Sequence, residues 1–450
     1  MGAGQHLSFP DAPVLAPLRR AAQELGVGAW LVGGYVRDLV LGRPHPDIDV
    51  VAEEGRGLEL AARFAAGTGS PPPVLFERFG TAQVRWQGAL VEFASARAES
   101  YRPDSRKPDV SWAGLDEDLV RRDFTVNTLL MDLEGGVIDR MGGLADLEAG
   151  LLRTPRDPTA TFSDDPLRML RAARFAAQLG FRLDPSLIPA MRALRDRLRP
   201  PVISVERMAE ELKRVLLTDK PSLAFDVLTQ AGLLEVVLPE LAACRGVAQG
   251  GYHTMDVYGH TLAAVDLCPP DPTVRLAALF HDVGKPSTAA ADGSFKGHDA
   301  VGAEMALAGL RRLRFSTDEG RRVSALVALH MRPVQYSSEW GDGAVRRLAR
   351  AAGKDLGELV ELARADVRAS AYPHPEKIDD LERRLRRVLD ERPSRMRLPV
   401  SGRDVMAIRG LGSGPEVGRI KERLAELVMD GTLEPSRDAV IAYLEAHPEI

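Results

Sequence analysis

Hydrophobic positions in the first 140 residues switch between two periods. A helical repeat over 14–25 stops at Gly26, and the apolar run AWLVGG that follows predicts a short strand. The next helix, YVRDLVLG, is closed by Gly42; the β-rich run DIDVVA comes after it, then a helix around 57–66. Strand-like runs over 74–86 and 89–97 are separated by a turn at Gln87-Gly88. Helices mixed with strands in this way predict an α/β or α+β head. From about 143 onward the period is helical almost throughout, with Pro-rich seams near 199–201, 269–272 and 393–399. The chain therefore reads as an α+β protein, a mixed head followed by a long all-α body, without internal repeats.

Composition narrows this picture. At 450 residues, 45% hydrophobic and 27% charged, the chain has length for two to four domains and a sizeable core. Cys244 and Cys268 are too few for a disulfide framework and suit a reducing compartment, so a cytoplasmic location is expected. No apolar run is long enough to predict a membrane span; MGAGQHLSFP lacks the basic and then apolar regions of a secretory signal, and His6 stands where a myristoylation signal needs Ser or Thr. A formal charge of −5 weighs against a globally basic nucleic-acid binder. Of 59 basic residues 51 are Arg, which follows a GC-rich codon bias. Five of the nine His (His253, His260, His281, His298, His330) fall within 78 residues, where an even scatter would place between one and two.

The head carries the first chemistry. Gly33-Gly34 lies between an apolar strand and a helix, where backbone without a Cβ can approach a phosphate, and Arg37 sits one turn into that helix. Asp47 and Asp49 occupy positions i and i+2 of a strand, so both carboxylates leave one face while Ile48 goes to the core. Two like charges side by side are costly without a cation, and Mg²⁺ is the cation that takes carboxylate oxygens together with substrate phosphates. Alone, the double Gly is more often a plain turn and D-x-D a solvated strand end. Together with Arg37 at this spacing they point to phosphoryl chemistry.

At these residues the chain resembles a known family. LVGGYVRDLVLGRPHPDIDVV is similar to the signature of the class II tRNA nucleotidyltransferases and the related bacterial poly(A) polymerases. DEDLVRRDFTVNTLLMD, FSDDPLRMLRAARFAAQLGF and ISVERMAEELKRVLL follow in the family's order, and LPVSGRDVMAIRGLGSGPEVGRIKERL matches more loosely. The resemblance implies a polymerase-β-like nucleotidyltransferase head over 1–145, a helical neck with nucleotide- and RNA-binding motifs over 146–240, and a C-terminal tRNA-binding body over 376–450. It implies that Asp47 and Asp49 hold Mg²⁺, that Gly33, Gly34, Arg37 and Arg122 position a triphosphate, and that Asp165 with Arg168 reads the base. A carboxylate accepts from the exocyclic amine of cytosine or adenine and a guanidinium donates beside it, which disfavours U and G. Arg171 and Arg174 continue that stripe at every third residue and join the expected nucleotide-binding set.

Further expectations attach to the same stretch. Arg121-Arg122-Asp123 is expected to open a helix, with Asp123 at its positive end. Asp164-Asp165 stands where the family usually has Glu-Asp. Glu92, in ALVEFAS, is a candidate third metal carboxylate, though an edge strand would leave it in water. The segment from Arg97 to Asp118 resembles the flexible loop of CCA-adding and A-adding members, and its length argues against addition of CC alone. VRWQGALVEFA has one Arg where the poly(A) polymerases carry a basic stretch, which disfavours that alternative.

The body adds two features. Residues 151–220 hold 14 Arg or Lys against 9 Asp or Glu, a local +5 suited to an RNA backbone. His260, His281-Asp282, His298, His330 and Asp366 each lie on or beside a helical pattern, so a bundle can aim them at one centre. Imidazoles with carboxylates suit Mn²⁺, Ni²⁺, Zn²⁺ or Fe²⁺. The set resembles an HD-type phosphohydrolase domain over 241–375, which implies His260, His281, Asp282 and Asp366 as primary ligands and His298 and His330 for a second metal or the phosphate. The expected activity is template-independent addition of CCA, or of its terminal A alone, to tRNA from CTP and ATP, with no membrane or protein partner implied. The alternatives are an HD hydrolase of nucleotides or 2′,3′-cyclic phosphates with a vestigial head, and a non-catalytic RNA-binding scaffold.

Overall fold

The computed structural model describes residues 7–43, 47–77, 80–100, 109–112, 114–390, 397–429 and 431–449. The strands of the first 140 residues are β1 (Ala29–Val32), β2 (Asp47–Ala52), β3 (Val74–Phe76), β4 (Thr81–Trp86), β5 (Ala89–Ser95), β6 (Arg97–Ser100), β7 (Asp109–Trp112), β8 (Leu130–Met131) and β9 (Val137–Ile138). Seven of them form one sheet of order β3-β4-β5-β2-β1-β8-β9, and β6 pairs with β7 as a separate hairpin. The run 74–86 is two strands rather than one. The Gly80 amide donates to the Glu77 carbonyl at 3.1 Å, Gly80 takes φ 60°, and the chain turns back on itself.

Alternation along β2 decides which face does what. Ile48 and Val50 are buried on the face where Phe93 of β5 meets Phe64 of helix α3, with ring centroids 5.3 Å apart. Helices α1 (Leu15–Leu25), α2 (Gly34–Val40) and α3 (Gly57–Thr68) belong to this half of the head, and α3 packs on β4 and β5. Gly57 at the start of α3 lies so close to the backbone of Ala94 and Ser95 that a Cβ would meet it at 2.7 Å. On the other face, Val51 joins Val32, Leu115, Leu119 and Leu130 in a core under α4 (Leu115–Val120), while Asp47 and Asp49 lie beyond that cover.

After α5 (Gly143–Ala149) the first unit is helical: α6 (Pro158–Asp164), α7 (Leu167–Leu179), α8 (Leu187–Leu194), α9 (Val205–Leu216) and α10 (Ser222–Gln230). Asp157 caps α6 through the Ala160 amide at 2.8 Å, and Pro166 stands immediately before α7. The short strands β10 (Leu151–Leu152) and β11 (Arg182–Leu183) pair in parallel beside them. This unit ends at Val237.

The second unit begins at Leu238. It is a helical bundle whose members include Val257–Leu267, Pro272–Phe280, His298–Arg312, Thr317–Leu329 and Leu356–Ala369. Near its end, Gly402–Arg409, Pro415–Met429 and Arg437–Ala446 close around a core of their own that includes Val405, Leu424 and Leu444. Cys244 and Cys268 are buried free thiols, both pushed up to about 12 by burial. No helix among the described residues is long and apolar enough to cross a membrane.

Candidate active site and metal centre

Strand register assembles the carboxylates of the head. β2 and β5 run parallel, with Asp47 opposite Leu90 and Asp49 opposite Glu92. Cross-strand partners share a face, so Asp47, Asp49 and Glu92 project together from the side that α3 leaves open. Glu92 does not lie on an edge: β5 is flanked by β4 and β2, and Gln83 of β4 donates to Glu92 Oε2 at 3.0 Å. Three carboxylates thus leave one face of two adjacent strands, the donor type a divalent cation takes, although their oxygens are not gathered around one point in this structure.

The Gly-Gly turn sits against this cluster. Gly33 takes φ 75° and ψ −136°, which residues with a Cβ rarely adopt. A Cβ there would lie 3.2 Å from Asp49 Oδ2 and 3.3 Å from Arg122 Nη1. The turn thus separates a carboxylate from a guanidinium at close range. Gly34 is the first residue of α2.

Arg122 is aimed by a residue the motif reading passed over. Asp118, fully buried, takes Arg122 Nη2 at 3.0 Å and Nε at 3.2 Å on Oδ2, and Arg121 on Oδ1. Burial alone would raise the Asp118 carboxyl, but Arg122 and Arg121 outweigh it and hold it below its ordinary value. The i, i+3, i+4 spacing in DEDLVRRD was the available signal. Arg121-Arg122-Asp123 closes α4 instead of opening a helix, and a 3₁₀ turn, Thr125–Asn127, follows.

Three expected phosphate or nucleotide contacts are tied to carboxylates of the fold. Arg37 is 2% exposed and donates through Nε and Nη2 to Asp38 at 2.7 and 2.9 Å and through Nη1 to Asn127 at 2.7 Å. Arg174 is buried in a 2.7 Å pair with Glu211 of α9 and lies over the Phe175 ring. Arg171 donates through Nε to Asp123 at 2.8 Å. Arg37 of α2 and Arg171 and Arg174 of the α7 stripe are thus each engaged by a carboxylate of the fold. The buried guanidinium groups of Arg37 and Arg174 must be paired, and each has found a carboxylate; that of Arg171, 31% exposed, has Asp123. Asp123 also accepts from Asn127 at 2.9 Å; burial would raise its carboxyl, but Arg171 and these donors hold it well below the usual range.

Asp165 lies in the break between α6 and α7, partly exposed. Its Oδ1 accepts the Leu167 amide at 3.1 Å and its Oδ2 accepts Arg207 of α9 at 2.9 Å. Arg168 donates to the carbonyls of Arg121 at 2.6 Å and Thr161 at 3.3 Å, so it links α7 to the end of α4. Arg207, which orients Asp165, carried no sequence signal beyond its place in ISVERMAEEL. Asp164 pairs with Arg156. Of the 14 basic residues over 151–220, Arg156, Arg168, Arg171, Arg174 and Arg207 are thus engaged within the fold, while Arg192, Arg195 and Arg199 are exposed. Of the segment from Arg97 to Asp118 expected as a flexible loop, 101–108 and 113 lie outside the described residues, while Arg97–Ser100 pairs antiparallel with Asp109–Trp112 and α4 begins at Leu115.

In the second unit, helix ends bring six buried donors together: His260, His281 and Asp366 form one group, and Asp282, His298 and His330 the other. Asp282 lies between them. Its Oδ2 is 3.2 Å from His281 Nε2 and 3.8 Å from His260 Nε2, and its Oδ1 is 3.4 Å from His298 Nε2 and 3.9 Å from His330 Nε2. The expectation that grouped Asp282 with only the first set is therefore broadened: it faces both. Nδ1 of His281, His298 and His330 each sits 2.7 to 2.8 Å from the carbonyl three residues before it, which fixes the rings and turns Nε2 inward.

This donor set fits metal. His298 and His330 hold their Nε2 atoms 3.3 Å apart, as do His260 and His281, a repulsive approach for two lone pairs unless a proton or a cation lies between. Nδ1 of His260 is buried without a hydrogen-bond partner. Burial lowers His281, but Asp282 outweighs it and lifts the imidazole to about 9. Burial with His281 alongside pushes His330 down to about 4. Burial raises Asp366, yet His260 and His281 hold it at about 2. Lys285, missed in the sequence although HDVGK contains it, donates to Asp282 Oδ2 at 2.6 Å and Gln249 at 2.8 Å.

Comparison with known proteins places these sites in context. The Poly A polymerase head domain matches residues 29–153, the probable RNA and SrmB-binding site of polymerase A matches 180–245, and the HD domain matches 251–390. The chain is 33% identical over 443 residues to an A-adding tRNA nucleotidyltransferase of Deinococcus radiodurans, covering 94% of this chain and 96% of that protein. It is 37% identical over 426 residues to a CC-adding tRNA nucleotidyltransferase of Thermus thermophilus, covering 91% and 92%. The crystal structure of the Bacillus stearothermophilus CCA-adding enzyme in complex with CTP shares the fold, with a TM-score of 0.65 at 23% identity over 98% of each chain.

Proposed function

The chain belongs to the tRNA nucleotidyltransferase family, and from that premise we propose that it is a template-independent tRNA 3′-end nucleotidyltransferase. It adds CCA, or the terminal A alone, from CTP and ATP with release of pyrophosphate. The observation that carries this reading is the alignment of Asp47, Asp49 and Glu92 on one sheet face, against the Gly33 turn and Arg122. Mg²⁺ on these carboxylates would supply the charge that activates the RNA hydroxyl and stabilises the leaving pyrophosphate.

The chain's own residues do the positioning. Arg122, oriented by Asp118, donates to the triphosphate beside the Gly33-Gly34 backbone. Asp165 accepts from the exocyclic amine of C or A, its carboxylate held by Arg207 and the Leu167 amide, and Arg168 donates to the ring. Arg37, Arg171 and Arg174 act through the fold, holding α2, the 3₁₀ turn, α7 and α9 in register. No covalent intermediate is required, since alignment and charge stabilisation suffice. Exposed Arg192, Arg195 and Arg199 and the terminal three-helix segment 402–446 are the proposed tRNA contacts, and the buried free thiols suit work in the cytoplasm.

The test offers the purified protein three tRNAs, ending before the CCA, after the first C, and after CC, with CTP and ATP singly and together. Extension of all three to CCA establishes the full activity; extension of only the CC-ended tRNA, with ATP alone, establishes A-addition. Incorporation that stops at CC in every arm, or no incorporation at all, overturns the proposal.

A second reading is favoured by the six converging donors of the bundle: the HD centre holds one or two divalent ions, of the Mn²⁺, Ni²⁺, Zn²⁺ or Fe²⁺ kind, and hydrolyses a phosphoester. Turnover of a phosphoester dependent on added Mn²⁺ or Ni²⁺, lost in His281→Ala, tests it.

A further inference from the structure

Strand register fixes what else shares the carboxylate face of the head. Val74 of β3 stands opposite Gln83 of β4, Gln83 opposite Glu92 of β5, and Glu92 opposite Asp49 of β2, so all four lie in one row on one face. Phe76, two residues beyond Val74 on β3, keeps that face and stands opposite Thr81. Arg85, two residues beyond Gln83 on β4, also keeps it, is exposed, and stands opposite Leu90, the partner of Asp47. One face therefore passes from carboxylates, by way of a guanidinium, to an apolar edge.

That edge is open. Val74 is 59% exposed and Phe76 41%, while Leu75, on the opposite face, is 47% exposed. Large apolar side chains in a row on an edge strand invite aggregation, so their exposure asks for a use. A further strand is a poor occupant. β3 has only three residues, and Pro71, Pro72 and Pro73 just before it have no amide to donate to a ladder. What the strand offers is its side chains. Neighbouring strands lie about 4.8 Å apart, which puts Val74 about 14 Å from Asp49 across the sheet. That span takes about two extended or about four stacked nucleotides.

We propose that Val74 and Phe76 form a landing for the unpaired 3′ end of the RNA substrate, with Arg85 on the neighbouring strand taking one of its phosphates. The terminal hydroxyl lies at Asp47 and Asp49, and a base about two nucleotides before it stacks on Phe76 beside Val74. Single-stranded RNA fits this order of surfaces because every nucleotide presents both a phosphate and a flat apolar ring. The assignment rests on the nucleotidyl-transfer reading of the head and adds to it where the primer lies. Since all bases have a π face, the landing holds the primer without reading it.

Cross-linking and kinetics on the full chain test it. A tRNA ending in CC, with 4-thiouridine at the last-but-one or last-but-two nucleotide, is expected to cross-link to the peptide holding Val74 and Phe76. Phe76→Ser is expected to raise the KM for the unmodified tRNA about tenfold with the KM for ATP unchanged, and Phe76→Tyr to restore it. Leu75→Ser, equally exposed on the same strand but on the opposite face, is expected to leave the KM for tRNA as it was. Equal effects of Phe76→Ser and Leu75→Ser, or cross-links confined to other peptides in protein that extends the tRNA, overturn the proposal. A change of oligomeric state in Phe76→Ser without a change in the KM for tRNA gives the face to a second copy of the chain and overturns it too. Cross-linking at Val74 or Phe76 without any extension would sink the transfer reading and leave the landing standing.

Discussion

Asp118 holds Arg122 by two hydrogen bonds to one carboxylate oxygen, at 3.0 and 3.2 Å, and so turns the remaining guanidinium nitrogen toward the Gly33 turn. The pair is a positioning device: the carboxylate is buried, and the guanidinium is the part that faces the site. Asp118→Ala leaves two guanidinium groups without their anion. Unfolding experiments are expected to show a loss of about 3–5 kcal/mol, the usual cost of breaking a buried pair, and steady-state kinetics a raised KM for CTP and ATP.

The same carboxylates set the acid limit of the head. Asp118 and Asp123 both lie below their ordinary value of 3.8 in the folded chain. Their stabilisation is therefore present in full above that value and is lost as pH falls below it, when the unfolded chain takes up protons first. Unfolding midpoints measured between neutral pH and pH 2 are expected to fall steeply only below about 4, and less steeply in Asp118→Asn.

Gly33→Ala is expected to fold, at a cost of about 1–3 kcal/mol for the backbone conformation. The added methyl group would press on both Asp49 and Arg122, so incorporation of AMP or CMP is expected to drop by roughly a hundredfold, since misplacement of about 1 Å costs that much. Normal incorporation by this variant would remove the turn from the site.

Asp49→Asn and Arg174→Met separate chemistry from architecture. The first is expected to lose incorporation by about a hundredfold or more while the unfolding temperature holds, because several kcal/mol of charge stabilisation goes with the metal. The second is expected to lower the unfolding temperature through the broken Glu211 pair while leaving the KM for CTP and ATP near normal at temperatures where the chain is folded. An effect of Arg174→Met on nucleotide KM alone would restore the direct-contact role.

At the HD centre, metal must displace a proton. His281 lies at about 9, so it is protonated at neutral pH without metal. Apparent affinity for Mn²⁺ or Ni²⁺, measured by calorimetry, is expected to rise about tenfold per pH unit between 7 and 9, with one proton released to buffer per ion at this ligand. His281→Ala is expected to abolish that slope and to leave incorporation by the head near normal.

The local pattern alone made much of this molecule legible. The D-x-D pair is visible because i and i+2 of any strand face the same way, whatever the sheet around them. The histidine set is visible because its donor types recur at helix ends, and Pro166 and Gly26 mark helix boundaries through their own backbone preferences. Resemblance to the family's motifs then implied roles for Arg122, Asp165 and Arg168.

Three-dimensional packing decided the rest. Glu92 joins Asp49 only through the parallel register of β2 and β5, which no local period encodes. Arg37 and Arg174 are, by sequence, two more arginines on helix surfaces; Asp38, Asn127 and Glu211 turn them into buried ties. Arg207 reaches Asp165, and Asp282 stands between two histidine pairs, because helices distant in the chain meet there. Sequence by itself determined which groups are present and which way they leave their own element. Tertiary structure decided which distant charges meet, as Arg174 with Glu211 and Arg207 with Asp165, since a buried charge without a local partner takes one from whatever element packs against it.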